Sequence, residues 1–173
     1  DSLKSAAAQA AKDRGMEGKY LITLQRPSVE PFLSSSARRD LREQAWRAWI
    51  ARGDNGNQHD NKAIIAELVK LRADRAKLLG FEHHSAFVMN DSMAGSSQAA
   101  MQLMEQVWAP ALQRAKEERA EMQALMQREG IKDKLEPWDW RYYAEQVRKA
   151  RFDLSEAELK PYFELENMLA LQF

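Results

Sequence analysis

The sequence predicts a mainly α-helical fold that contains one short β-strand. Apolar residues recur every three or four positions through several long stretches, which is the period of one helix face. Glycines follow those stretches where a helix would end, and only one stretch alternates residue types in the manner of a strand. At 173 residues, of which 45% are hydrophobic, the chain is long enough for one domain with its own core. We therefore expect a single helical region over residues 1–173.

Capping residues and glycines define the expected helices of the first half. We predict helices over residues 3–14, 37–52 and 61–79. The side chains of Ser36 and Asp60 are suited to cap the second and third of these helices. Gly53 and Gly80 follow them in the position where a left-handed residue commonly ends a helix.

The second half is expected to be helical as well. Ser96 or Ser97 begins a long helix that ends at Gly130, and Pro110 should kink it because the proline ring removes a backbone hydrogen bond. Another helix opens at Pro137, since proline suits the first helical position. Two more helical stretches follow, one opened by a capping box at 155–158 and one over 165–173.

Residues 19–25 form the one predicted strand. Tyr20, Ile22 and Leu24 would share one face, and Pro27 follows shortly after. No other stretch of similar quality could pair with this strand, and an unpaired strand leaves backbone groups unsatisfied. We therefore expect its partner to lie outside the chain. Self-association is one such arrangement, in which a second copy would also cover the apolar residues 168–173.

Composition narrows the functional classes. The chain carries 26 Lys and Arg against 26 Asp and Glu, so no net charge attracts nucleic acid. The arginines over 38–52 are mixed with Asp40 and Glu43, which favours a solvated helix face. The chain has no cysteine, which suits a reducing compartment, and we expect a cytoplasmic protein. No apolar stretch is long enough to span a membrane, and the start has neither methionine nor signal peptide, so we expect a piece of a longer protein.

No catalytic or metal site is predicted within the chain. The three histidines are His59, His83 and His84, and none are four residues apart, the spacing that places two imidazoles on one helix face around zinc. His83 and His84 are adjacent, so their side chains are expected to diverge in a loop. The acidic stretch over 54–60 lacks the glycine and glutamate that complete a calcium loop.

The run over residues 136–149 is the most unusual in composition. If it is helical, Trp138, Arg141 and Tyr142 share one face, while Asp139 and Tyr143 share the adjoining face. These side chains either anchor the helix in a core or contribute to a functional surface. Spacing alone favours the core and leaves the chemistry open.

Several short stretches, in fixed order, resemble the thimet-oligopeptidase-like zinc metallopeptidases. They are GKYLITL at 18–24, PFL at 31–33, RR at 38–39, LRA at 71–73, KLLGF at 77–81, MA at 93–94, WDWRYY at 138–143 and LKPYF at 159–163. Within that family, three further stretches look most like the bacterial peptidyl-dipeptidases: RDLR at 39–42, AWRAW at 45–49 and RGDNG at 52–56. The resemblance covers essentially the whole chain.

The resemblance implies a longer, helical, zincin-type enzyme with a deep channel between two halves, which hydrolyses short peptides with one zinc. The family's metal motif, His-Glu-x-x-His with a later Glu, is absent from this sequence and lies downstream in the family. The chain is therefore expected to be an inactive fragment with no catalytic residue, no metal ligand and no cofactor of its own. The parent would release C-terminal dipeptides, and its partners would be oligopeptide substrates and the remainder of the parent chain.

The resemblance also suggests a role for the aromatic helix, because that helix precedes the zinc motif in the family. It makes five residues candidates for lining or bracing the substrate channel: Trp138, Asp139, Arg141, Tyr142 and Tyr143. Gly95 stands where relatives usually carry lysine, so a cation is not expected there. The alternative is a non-catalytic helical module that binds peptides or another protein.

Overall fold

The computed structural model describes residues 2–152 and 160–172 of the chain. Its elements, in chain order, are α1 (Ser2–Lys12), α2 (Arg26–Ser35), α3 (Arg39–Ile50), α4 (Lys62–Leu78), α5 (His84–Met89), α6 (Ser97–Arg128), α7 (Pro137–Phe152), a 3₁₀ helix (Lys160–Phe163) and α8 (Leu165–Gln172). The predicted mainly helical fold is confirmed. Over the described ranges, no helix combines the length and apolarity needed to cross a membrane.

The chain divides into two compact units. The first consists of Asp1–Arg47 together with Glu118–Phe173, and the second is Ala48–Glu117. In the first unit α1 packs on α2, and α2 packs on α7. A core forms where the end of α6 meets α7, around the buried side chains of Met122, Met126, Leu135 and Tyr143.

The second unit has almost no core. In it α4 packs against α5, and Arg75 lies over the ring of Phe87 at 4.8 Å from the centroid. The Phe81 and Phe87 rings meet edge to face at 5.5 Å. Ala76 is the only fully buried residue between 48 and 117, a range that the structure describes completely.

The predicted strand over residues 19–25 is wrong. This stretch is an irregular connection between α1 and α2, in which the Leu21 N–H donates to the Ala7 carbonyl at 2.9 Å. The Thr23 N–H donates to Ser28 Oγ at 3.0 Å. Residues 21–24 are all half-buried, so burial does not follow the alternation in the sequence. Without a neighbouring strand in the described residues, the backbone groups find partners on the two flanking helices instead.

α2 is a helix that the sequence pattern does not predict, and it contains two prolines. Pro27 lies in the first turn, where a missing N–H costs nothing, while Pro31 lies inside the helix. Ser36 ends this helix, with its N–H donating to the Phe32 carbonyl, rather than capping the next one. α3 accordingly begins at Arg39 instead of residue 37.

Several predicted helix ends agree with the structure. Ser96 Oγ accepts from the Ala99 N–H at 3.1 Å, which makes it the cap of α6. Asp60 Oδ1 accepts from the Lys62 N–H at 2.9 Å, but α4 begins one residue later than predicted, with Asn61 in the capping position. α6 continues through Pro110 from Ser97 to Arg128, and the kink there stays a prediction. The capping box predicted at 155–158 lies outside the described residues.

Candidate functional site

The first two turns of α7 carry the five channel candidates, and the local sequence explains where this helix starts. Pro137 occupies the first helical position. The Asp139 N–H donates to the Glu136 carbonyl at 2.9 Å, and the Glu136 N–H donates back to Asp139 Oδ2 at 3.2 Å. This reciprocal pair satisfies donors that the helix start would otherwise leave open. It also places a carboxylate at the positive end of the helix dipole.

Asp139 is fully buried and lies between two arginines of α3. Arg42 Nη2 donates to its Oδ1 at 2.7 Å. Arg39 donates from Nε to both carboxylate oxygens at 3.1 Å and from Nη2 to Oδ2 at 3.0 Å. A buried carboxylate is tolerated only when it is paired and hydrogen-bonded in this way. The three residues form what we call the Asp139 cluster: Arg39, Arg42 and Asp139.

Arg42 is the most buried cation of the cluster, with 1% of its surface exposed. Besides Asp139, its Nε donates to the Trp138 carbonyl at 3.2 Å, and its Nη1 donates to the Ser36 carbonyl at 2.7 Å. Its guanidinium also lies 4.3 Å from the centre of the Tyr142 ring. A single side chain thus joins the end of α2, the body of α3 and the start of α7.

Tyr143 and Trp138 fill the space around the cluster. The Tyr143 hydroxyl donates to Glu129 Oε2 at 2.8 Å, and burial together with this carboxylate raises the pKa of the phenol. Trp138 meets the Trp46 ring edge to face at 5.7 Å, and the Arg47 guanidinium lies 4.8 Å from the centre of the Trp138 ring. The Trp138 indole N–H is buried, and among the described residues no acceptor pairs with it.

Arg141 differs from the other four candidates because its side chain is exposed. Its Nη2 donates to Glu30 Oε1 on α2 at 3.0 Å, and Arg26 Nε donates to the same oxygen at 3.1 Å. Trp138, Asp139 and Tyr143 are buried and Tyr142 is half-buried. The structure therefore brings all five residues together on one helix and divides them between interior and surface.

Sequence reasoning missed the two arginines that hold Asp139. The mixed charges over residues 38–52 predict a solvated helix face, whereas Arg42 is buried and Arg39 is largely covered. A signal was present, because Arg42, Trp46 and Trp49 lie four and then three residues apart on one helix face. An arginine in register with two tryptophans is placed to enter an interior.

Metal-binding geometry is not found in the part of the chain that the structure describes. No group of three or more His, Cys, Asp or Glu side chains there could hold a metal ion. His83 Nδ1 instead accepts from the Ala86 N–H at 3.0 Å and caps α5. The side chains of residues 2–152 and 160–172 therefore do not fit a zinc site.

Two surface clefts lie beside α2, with volumes of about 520 Å³ and about 570 Å³. The first is bordered by Tyr20, Phe32 and Leu41, and the second by Arg26 and Glu145. None of the five channel candidates borders either cleft. These clefts and the Asp139 cluster are thus separate features of the first unit.

Comparison with known proteins assigns the family. The sequence model of Peptidase family M3 matches residues 32–172, so the chain belongs to this peptidase family. The dipeptidyl carboxypeptidase of Escherichia coli (strain K12) is 42% identical over 163 residues, which cover 94% of this chain and 24% of that protein.

Two other relatives give the same picture. The dipeptidyl carboxypeptidase of Salmonella typhimurium is 40% identical over 165 residues, covering 95% of this chain and 24% of that protein. The probable cytosolic oligopeptidase A of Arabidopsis thaliana is 34% identical over 178 residues, covering 96% of this chain and 24% of that protein. The chain thus spans about a quarter of the length of these relatives. The family resemblance read from the sequence is confirmed.

Proposed function

We propose that the whole protein is a zinc-dependent peptidase that releases C-terminal dipeptides from short peptides in the cytoplasm. The observation that carries the proposal is the 42% identity to a dipeptidyl carboxypeptidase across 94% of this chain. The identity to the oligopeptidase A relative is lower, at 34%, which favours dipeptide release over internal cleavage. The name of that relative and the absence of cysteine support the cytoplasm.

Within that enzyme, this chain serves as scaffold and channel wall. The Asp139 cluster fixes α7 against α3, and fixed elements hold a substrate surface more accurately than loops do. Trp138, Asp139 and Tyr143, being buried, brace the wall, whereas Arg141 is accessible to a peptide. The zinc ligands come from the remainder of the polypeptide, since the described residues offer no group that could hold a metal ion, and the catalytic residues lie beside those ligands.

Product analysis of the full-length protein tests this function. A short peptide and the same peptide extended by one C-terminal residue are incubated with the enzyme, with and without a chelator, and the products are weighed by mass spectrometry. A peptidyl-dipeptidase counts from the carboxyl end, so each peptide should lose its own last two residues in a chelator-sensitive reaction.

Other outcomes identify the alternatives. Cleavage of the same internal bond in both peptides would indicate an oligopeptidase. Binding of the peptides by a folded protein without any cleavage would favour the non-catalytic interaction module.

A further inference from the structure

The second unit exposes an apolar stripe along α4. Four large side chains fall within an arc of about 80° of the helix circumference, and between 41% and 87% of each is exposed: Ile64, Leu68, Leu71 and Leu78. A separate arc of the same helix carries Lys70, Asp74 and Lys77. Arg75 also falls within this arc and lies over the Phe87 ring of α5, while the four apolar side chains stay exposed.

A second stripe runs along the part of α6 that belongs to this unit. Met101, Met104, Trp108 and Leu112 also fall within an arc of about 80°, and between 40% and 67% of each is exposed. Leu103 and Val107 widen this stripe on one side. The nearly opposite arc carries Gln102, Gln106 and Gln113. We call the two stripes together the apolar helix faces.

The apolar helix faces have the pattern of helices that are stabilised by packing. An isolated helix gains little from propensity alone, so an amphipathic helix is normally held by burial of its apolar side. Exposed patches above a few hundred Å² are rare on monomers and usually mark an interface. Each stripe presents at least four large apolar side chains that are 40% exposed or more, while only Ala76 is buried between residues 48 and 117. The helices of this unit therefore leave both stripes uncovered.

We propose that the apolar helix faces are covered by polypeptide of the same enzyme that lies outside residues 1–173. This inference rests on the proposed function in one respect, namely that the chain is part of a longer peptidase. Relatives that match 94% to 96% of this chain devote only 24% of their length to it. A segment tethered in the same molecule has an effective concentration of roughly millimolar or more, which a separate copy does not reach at ordinary concentrations.

Thiol labelling of the full-length protein tests the inference. The chain contains no cysteine, so a thiol introduced into this region is unique within it. Leu68→Cys and Met104→Cys place thiols on the apolar helix faces, and Lys70→Cys and Gln106→Cys are matched controls on the polar faces of the same helices. The alkylation rate at each position is measured by peptide mass spectrometry in native buffer. It is then divided by the alkylation rate of the same thiol in denaturant.

The expected result is that both apolar-face thiols react at least about 100-fold more slowly in the native protein than the polar-face thiols do, because closed interfaces open rarely. Equal rates on the two faces would overturn the inference. Protection that disappears on dilution by about 100-fold would also overturn it, since a second copy would then be the covering partner.

A measurement on the unsubstituted protein guards against variants that fail to fold. Hydroxyl radicals oxidise exposed methionine and tryptophan readily, so Met101, Met104 and Trp108 report directly on their own exposure. We expect low oxidation of all three in the native full-length protein, and oxidation as fast as in denaturant would contradict the inference. Neither experiment uses substrate or metal, so a protein without peptidase activity that shows this protection would refute the proposed function and leave the covered surface established.

Discussion

Replacing Asp139 by alanine should be among the most destabilising single changes in the chain. The substitution leaves Arg42 buried with 1% exposure and removes the one carboxylate that pairs with it among the described residues. Arg39 is less affected, because about a quarter of its side chain is exposed and it retains a contact with Asp133. The cost therefore comes mainly from one uncompensated buried charge.

The magnitude follows from the contacts of the cluster. Breaking a buried ion pair by removing one partner costs about 3–5 kcal/mol. Asp139 also accepts the Glu136 N–H at the start of α7, and losing such a cap costs about 1 kcal/mol. These terms overlap, so we expect Asp139→Ala to lower the free energy of unfolding by about 4 kcal/mol.

A double-mutant cycle separates the charge from the packing. Arg42→Met with Asp139→Leu removes both charges and leaves the Ser36 carbonyl without its donor, whereas the Trp138 carbonyl keeps its helical donor within α7. One unsatisfied carbonyl costs about 1–3 kcal/mol, so the double variant should lose about 1–3 kcal/mol. That loss is smaller than the sum of the two single losses, and we expect a coupling energy of at least about 2 kcal/mol.

Urea unfolding followed by helical circular dichroism measures these differences. Glu43→Ala is the matched control, since its pair with Arg47 lies on the exposed side of the same helix and should be worth less than about 0.5 kcal/mol. The reasoning would be refuted if the free energy of unfolding of Asp139→Ala lay within about 1 kcal/mol of the unsubstituted chain. It would also be refuted if the losses of the two single variants added up to the loss of the double variant.

Three further predictions follow from single positions. Met126→Ala should cost about 2–5 kcal/mol in chemical unfolding because Met126 is fully buried, whereas Met101→Ala on the same helix should change the stability of this chain by less than about 0.5 kcal/mol. Tyr143→Phe should flatten the alkaline side of the stability curve. Because the pKa of Tyr143 is raised in the folded state, above about pH 10 the unfolded state loses a proton that the folded state keeps. The free energy of unfolding of the unsubstituted chain therefore falls there by up to about 1.4 kcal/mol per pH unit. Parallel stability curves for the two proteins would contradict this. Gly53→Ala should destabilise the fold more than Gly56→Ala. Both glycines have positive φ, but a Cβ at Gly53 would also lie 2.6 Å from the side-chain amide nitrogen of Asn61. Equal midpoints of the two variants in thermal unfolding would contradict this.

Local signals predicted the helical architecture well. Pro137 and Ser96 begin their helices as expected, because proline at the first turn and a serine cap act within a few residues. The same local reasoning failed for α2, since Pro31 is tolerated inside a helix that packs on α1 and α7. It also failed at residues 19–25, where alternation indicated a strand but the available partners were helices.

The candidate site was predictable as a position and not as a set of contacts. The sequence placed Trp138, Asp139 and Tyr143 on adjoining faces of one helix, and the structure agrees. Their partners are far away in the chain, since Arg42 and Asp139 are 97 positions apart. Hydrophobic periodicity describes which face turns inward, but a pairing between two distant charges depends on how helices pack, and helical spacing carries no information on that.

Zinc content, measured side by side in the full-length protein and in the chain of 173 residues, tests the central claim most directly. The claim is that this chain belongs to a zinc peptidase and supplies wall and scaffold while other parts of the polypeptide hold the metal. After dialysis against metal-free buffer, we expect about one zinc per full-length molecule and none in the chain alone, because a stable site needs three or four preorganised ligands. One tightly held zinc in the chain alone, or none in the full-length protein, would contradict the account.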